Sequence, residues 1–198
     1  ITTKDDPGSF IIAKDRLEAI VSAADKEYEI EDEFTGEKLT DLNYKPLYPY
    51  AQDKLEADEY VDTRDNAFQI YPADFVTTEE GTGIVHTAVM YGQDDFDLGE
   101  DVGLPRLHLV DQTGHFTDGT DFLSDRFVHE EDVAVDIIKD LYHRDTGGET
   151  GLLFDKGKFE HEYPHCWRCD TPLVYYARNS WYIAMTELRE DLLEENEK

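Results

Sequence analysis

No run of consecutive apolar side chains in this chain exceeds five residues, the longest being residues 173–177 and 181–185. A membrane-spanning helix needs about 20 such residues, so none is expected, and the apolar groups must be buried as separate stripes and alternations. There are enough of them to build a core. Of 198 residues, 39% are hydrophobic and 12% aromatic, too rich for a disordered chain. That length predicts one domain, or one domain with a small appendage. The opening Ile1-Thr2-Thr3-Lys4-Asp5-Asp6 reads as neither a signal nor a transit sequence, and the missing initiating Met points to an excised fragment. Two cysteines, Cys166 and Cys169, cannot make a disulfide framework, so a reducing, cytoplasmic setting is expected.

Charge narrows the classes further. Eighteen Lys and Arg stand against 47 Asp and Glu, a formal charge of −29. A stand-alone nucleic-acid binder carries a basic face, because neutralised phosphates supply most of its affinity, and the average surface here repels a polyanion. The surplus (26 Asp against 10 Lys) is that of a strongly solvated surface of the kind salt-adapted proteins carry.

Periodicity divides the chain into short elements. Residues 10–13 read as a strand leading into a helix over 15–24, where Leu17, Ile20, Val21 and Ala24 fall on one face. Residues 28–34 alternate as a half-buried strand, and 39–50, with Pro46 and Pro49, form an irregular apolar connection. Strands are expected at 67–71 and 84–90, and a short helix at 94–102 ending on Gly103. A hairpin is expected at 107–117 around Gln112-Thr113-Gly114. The clearest helix spans 130–143, with Ala134, Ile137, Ile138, Leu141 and Tyr142 as its stripe and Gly147-Gly148 closing it. Residues 152–163 and 173–183 look extended, and 187–198 form a charged terminal helix or tail. Strands outnumber helices, and the helices lie between hairpins. That favours an α+β or mixed barrel-like domain over a doubly wound sheet.

Two constellations carry chemistry. Gly81-Thr82-Gly83 turns into a strand bearing His86, Thr87 and Ala88, after which Gly92-Gln93-Asp94-Asp95-Phe96 opens a helix. Glycines permit close backbone approach to a ligand, a carboxylate there suits an ammonium group, and His86 suits a polar substrate atom. The plainer readings are an Asp that caps its helix and a His satisfied within the core. The second constellation is His165-Cys166-Trp167-Arg168-Cys169, whose Cys-x-x-Cys spacing lets two thiolates grip one zinc. His161 and His165 are the only nearby imidazoles, and no second cysteine pair exists. The thiols are therefore either half of a zinc site completed outside this chain or two free buried groups. A redox pair would need a thioredoxin-like helix start that the pattern does not supply. Ser9, Ser22, Ser124 and Ser180 lack a nucleophile-elbow context, and neither a Walker nor a Gly-x-Gly-x-x-Gly sequence occurs. Any reactive oxygen must come from water or substrate.

The run Ala73-Asp74-Phe75-Val76-Thr77-Thr78-Glu79-Glu80-Gly81-Thr82-Gly83-Ile84-Val85-His86, followed by Gly92-Gln93-Asp94-Asp95-Phe96 and Gly103-Leu104-Pro105, resembles the editing domain inserted in isoleucyl-tRNA synthetases. Tyr163-Pro164-His165-Cys166-Trp167-Arg168-Cys169, with Thr171-Pro172-Leu173, Tyr175-Tyr176-Ala177-Arg178 and Ser180-Trp181, resembles the segment by which that chain returns toward its catalytic domain. The likeness covers residues 10–193. The valyl and leucyl relatives share the Gly-Thr-Gly start, and a valyl enzyme's editing domain or a non-catalytic zinc-dependent docking module are the alternatives.

The resemblance implies a β-barrel-like editing domain over residues 1–160 and a return segment over 161–198. It implies hydrolysis of the ester in valyl-tRNA wrongly made on the isoleucine tRNA. A hydrophobic pocket separates side chains differing by one methylene only about 10–200-fold, isoleucyl-tRNA synthetases being themselves the standard illustration, so a second site must remove the error. By the same resemblance Asp95 anchors the α-ammonium group, with Asp94 as its nearest rival, and His86 lines the pocket. Gly81, Thr82 and Gly83 support the strand, and Thr87, Met90 and Tyr91 add to the wall. Water attacks the ester, assisted by a ribose hydroxyl of the terminal adenosine. Val89 stands where the family has proline, within Ala88-Val89-Met90-Tyr91. The threonine-rich peptide of the family's pocket and the synthetic-site motifs are missing from this sequence. ATP and magnesium are accordingly expected only in the parent enzyme's catalytic domain, and the fragment is expected to be monomeric.

Overall fold

The computed structural model describes residues 1–4, 8–79, 81–148, 151–157 and 162–198. His161 and part of the extended stretch expected at 152–163 lie outside these. The architecture is α+β: five α-helices, several 3₁₀ turns and one two-stranded antiparallel sheet among the described residues. The sheet is open and joins β1 (Thr2–Thr3) to β2 (Tyr28–Glu29), with Thr2 opposite Glu29 and Thr3 opposite Tyr28.

Helix α1 (Leu17–Ala23) follows a 3₁₀ turn and buries Leu17 and Val21, four apart on the face the periodicity marks. It ends where Asp25 turns left-handed at φ 53°. Helix α2 (Tyr50–Leu55) begins where the stretch expected to be irregular ends, in a segment for which no element is expected, and anchors on buried Leu55. Helix α3 (Gln93–Val102) ends as expected on Gly103, whose φ of 72° admits a left-handed residue without a Cβ penalty. The Asn66 amide caps this end, donating to the carbonyls of Val102 (3.2 Å) and Gly103 (3.0 Å).

Helix α4 (Glu131–Thr146) forms where expected, but rotated. Val133 and Leu141 are its buried residues, whereas Ala134 and Tyr142 face solvent. The rotation follows from a polar anchor: Tyr48 donates to Asp140 at 2.9 Å, and Arg144 pairs with Asp140 while lying over the Tyr48 ring. Burial and the Asp140 carboxylate push the Tyr48 phenol well above its ordinary value. Helix α5 (Met185–Asn196) confirms the terminal helix and is exposed throughout.

The expected strands at 10–13 and 173–183 run without ladders, and that at 84–90 does so only as far as residue 88, beyond which 89 and 90 enter a turn closed by the Tyr91 amide on the Ala88 carbonyl. Alternation creates a face, but a strand also needs a neighbour's carbonyls and amides, and Ile84 and Val85 are half exposed instead. Short pairings do form, two of them involving elements the sequence marks. Residues 41–44 run against 68–70, with Tyr44 donating to the Phe68 carbonyl (2.8 Å) and Ile70 to that of Leu42 (3.0 Å). The hairpin at 109–117 forms as expected: Thr117 donates to Leu109 (2.9 Å), Asp111 to His115 (2.8 Å), and the Asp111 carboxylate accepts the amides of Thr113 and His115. Val110, Leu123, Met90 and fully buried Thr120 are among the residues of the small core around this hairpin.

Candidate functional site

The Gly81–Gly83 turn is braced from behind by the start of the chain. Ala13 donates its amide to the Thr82 carbonyl (2.9 Å), and Arg16 donates to the carbonyls of Gly81 (3.0 Å) and Glu79 (2.8 Å). Gly83 sits at φ +76°, and a Cβ there would lie 2.4 Å from the Ala13 Cβ, so only glycine permits the contact. The Thr82 hydroxyl closes the turn by accepting from the Ile84 amide and donating to its carbonyl. The extended segment leaving this turn carries His86 in solvent and Thr87 half-buried. His86 stands edge-on to Tyr44, ring centroids 6.5 Å apart, and Tyr44 stands edge-on to Phe68 at 5.9 Å. Phe68 adopts a left-handed φ of 58°, a conformation that costs a bulky side chain on the order of 1–2 kcal/mol and is held here by the 41–44 pairing. Tyr44 was not foreseeable as a site residue, since nothing local in its sequence joins it to His86.

Asp95, third residue of α3, does not point into open solvent. It is half-buried, and its Oδ1 accepts the Ala88 amide at 2.9 Å, across the turn from the His86 segment. Gly92 makes this possible, because a Cβ at position 92 would fall 2.1 Å from Asp95 Oδ2. The carboxylate also lies in the first turn of α3, where the helix dipole favours a negative charge. Asp94, its neighbour in the same turn, is exposed. Asp95 therefore has both a backbone partner and a second oxygen beside Gly92, and of the two acids it is the one tied to the His86 segment.

The other wall residues divide. Met90 is buried, and its carbonyl accepts the Ala177 amide (2.8 Å) from the C-terminal segment. Tyr91 turns to the hairpin, its hydroxyl accepting the amides of Leu109 and Val110 at 3.0 Å each, and burial raises its phenol above the ordinary range. Val89 packs into a notch on α3, where a Cβ on Gly99 would meet Val89 Cγ1 at 2.7 Å. Its side chain thus seats the turn on the helix. Two described cavities, of about 330 and 590 Å³, lie at residues 21–28 and at 2–4 with 26–29, away from Asp95 and His86.

Cys166 and Cys169 occupy a tight knuckle. Leu173 donates to the Pro164 carbonyl (3.0 Å), the Cys166 amide to Thr171 (2.9 Å) and the Asp170 amide to Cys166 (2.8 Å). Asp170 turns left-handed at φ 59°. The Thr171 hydroxyl lies 3.2 Å from the Cys169 sulfur, and together with the Thr171 amide and Cys166 it holds that thiol below its ordinary value. Cys169 is exposed and Cys166 partly so, which excludes two buried thiols. Among the described residues no third metal-capable side chain joins them. The pair is chemically suited to two of a zinc ion's four positions and no more. No described helix is long and apolar enough to cross a membrane.

No family model matches the chain. Curated proteins do. Over 197 residues, the whole of this chain, it is 36% identical to the isoleucine–tRNA ligase of Bacillus thuringiensis, of which it covers 17%. It is 41% identical over 181 residues (91% of this chain, 16% of that protein) to the ligase of Clostridium acetobutylicum. It is 39% identical over 198 residues, again 17% of that protein, to the ligase of Clostridium tetani. The class is thereby defined: the chain corresponds to a region of an aminoacyl-tRNA ligase. The amino acid in question is isoleucine, and the chain belongs to the isoleucine–tRNA ligase family as a segment spanning about one sixth of its relatives' length.

Proposed function

We propose that this region is the hydrolytic editing domain of an isoleucine–tRNA ligase, cleaving valine from the 3′-terminal adenosine of the isoleucine tRNA. The observation that carries this reading is the fold-back of Asp95 onto the Ala88 amide, which sets a carboxylate beside the segment bearing His86. A carboxylate fixed by its backbone neighbour on one oxygen can take an ammonium group on the other with a charge-assisted hydrogen bond. His86, exposed and standing edge-on to Tyr44, would line the side of the amino acid's alkyl chain or its ester. Water is the nucleophile, with a ribose hydroxyl of the adenosine assisting. A pocket that fits isoleucine separates it from valine by only about 1–3 kcal/mol, so on this reading the second site must admit valine and reject isoleucine by size.

On this reading residues 1–160 are the editing domain, barrel-like in the complete ligase, and 161–198 return toward the synthetic domain. That domain holds ATP and magnesium in a cytoplasmic enzyme. Cys166 and Cys169 would supply two thiolates to a structural zinc whose other ligands lie outside this chain. Bound there, zinc would cross-link the return segment and perform no chemistry on the ester. The knuckle geometry also supports a second reading, a non-catalytic zinc-dependent docking module. Deacylation of valyl-tRNA by the complete ligase separates the two. Rapid hydrolysis lost on Asp95→Ala supports editing. An unchanged rate in that variant removes Asp95 from the mechanism.

A further inference from the structure

The 88–91 turn is clamped from three directions, and one clamp comes from a segment distant in sequence. Asp95 holds Ala88 through its amide, and the amide of Tyr91 returns to the Ala88 carbonyl at 2.8 Å. From the C-terminal segment, Ala177 donates to the Met90 carbonyl at 2.8 Å. Its neighbour Tyr176 stacks on His108 with centroids 4.3 Å apart and planes 12° apart, and stands edge-on to Tyr91 at 5.9 Å. The Tyr176 hydroxyl donates to the Val110 carbonyl at 3.2 Å, in the same stretch of hairpin whose amides hold the Tyr91 hydroxyl. A continuous path of short contacts thus runs from Tyr176 and Ala177 through Met90, Tyr91 and Ala88 to the Asp95 carboxylate.

We propose that Tyr176 is a positioning residue of the editing site, the return segment forming the wall that fixes the 88–91 turn against Asp95. This rests on the reading of Asp95 as the ammonium anchor given above. Stacked aromatic rings are stiff and hold their partners at defined distances, and a displacement near 1 Å at a reacting group costs roughly 100-fold. The inference makes the site a joint product of the Gly81–Asp95 region and the segment that carries the cysteine knuckle.

The test uses the complete ligase with tRNA carrying either valine or its α-hydroxy analogue, which has no ammonium group. Tyr176→Ala is expected to lower kcat/KM for valyl-tRNA hydrolysis about 10–100-fold while leaving the slower hydrolysis of the hydroxy ester within about 3-fold of wild type. Tyr176→Phe keeps the stack and is expected to restore most of the rate. Equal losses on both esters, or Phe failing as badly as Ala, would overturn the proposal. Asp95→Asn run alongside keeps the two readings apart. If it shows the ammonium-selective loss and Tyr176→Ala does not, only the positioning role fails; if Asp95→Asn shows none, the anchor itself fails.

Discussion

Replacing Asp95 by asparagine removes a charge while leaving an acceptor for Ala88, and so divides the residue's two duties. The Ala88 amide lies 2.9 Å from Oδ1, a bond that an asparagine carbonyl reproduces. The structural loss is then confined to the carboxylate's interaction with the start of α3, about 0.3–1 kcal/mol. Against ligand, the loss is larger. A charge-assisted hydrogen bond contributes about 1.5–3 kcal/mol, and the Coulomb attraction at about 4 Å in a half-exposed setting caps it near 4 kcal/mol. At about 1.4 kcal/mol per decade this is a fall of roughly 10–150-fold in kcat/KM for valyl-tRNA deacylation. The assay is release of valine from preformed valyl-tRNA by the complete ligase under single-turnover conditions. Isoleucylation measured in parallel reports on the separate synthetic site. Asp95→Asn within 2-fold of wild type would refute the charge argument and reduce Asp95 to a helix-start residue that braces Ala88.

The remaining predictions concern packing, metal and pH. Gly99→Ala is expected to destabilise the chain by about 1–2 kcal/mol in thermal or urea unfolding, because its Cβ meets Val89 at 2.7 Å. In a Val89→Ala background the sign should reverse, alanine being the better helix former by about 1 kcal/mol. Elemental analysis should find less than stoichiometric zinc on this chain alone and a Cys166→Ser-sensitive zinc on the complete ligase. One tightly held equivalent on the chain would contradict the half-site. Burial holds His108 below its ordinary value of 6.5, and its Nδ1 has no partner. The folded state thus takes up a proton later than the unfolded one, and stability present above about pH 6.5 is lost as pH falls below it. His108→Phe should flatten that part of the melting-temperature profile between pH 7.5 and 5.5.

Local chemistry made α1, α3 and α4 readable, though not α2. Gly103 had to stop α3, the acids and Gly147 bounded α4, and Leu17 and Val21 declared the face of α1. What stayed hidden is what depends on partners far along the chain. The rotation of α4 follows from Tyr48 meeting Asp140, 92 positions away. Tyr44 joins His86 only because residues 41–44 pair with 68–70. Likewise Asp95 and His86 were visible as candidates from their glycine-bounded surroundings. The burial of Met90 and the turning of Tyr91 onto the hairpin depend on residues 109–110 and 177, which no window around position 90 contains.

The acidity that argued against a nucleic-acid binder fits the proposed chemistry once charge is followed residue by residue. Two guanidiniums on the elements around the site are occupied: Arg16 serves the Gly81 and Glu79 carbonyls, and Arg106 pairs with Glu100 and lies over Phe96. A phosphate backbone approaching a chain of net charge −29 is repelled on average, whereas an ammonium group is attracted and meets a fixed carboxylate at Asp95. On the function proposed above, such a surface would favour the end of the substrate that carries the amino acid, the polyanion being left to the rest of the ligase. Affinity for the tRNA body and discrimination at its tip are separated on that proposal, so that the editing site could be tuned to one methylene without also having to bind phosphate.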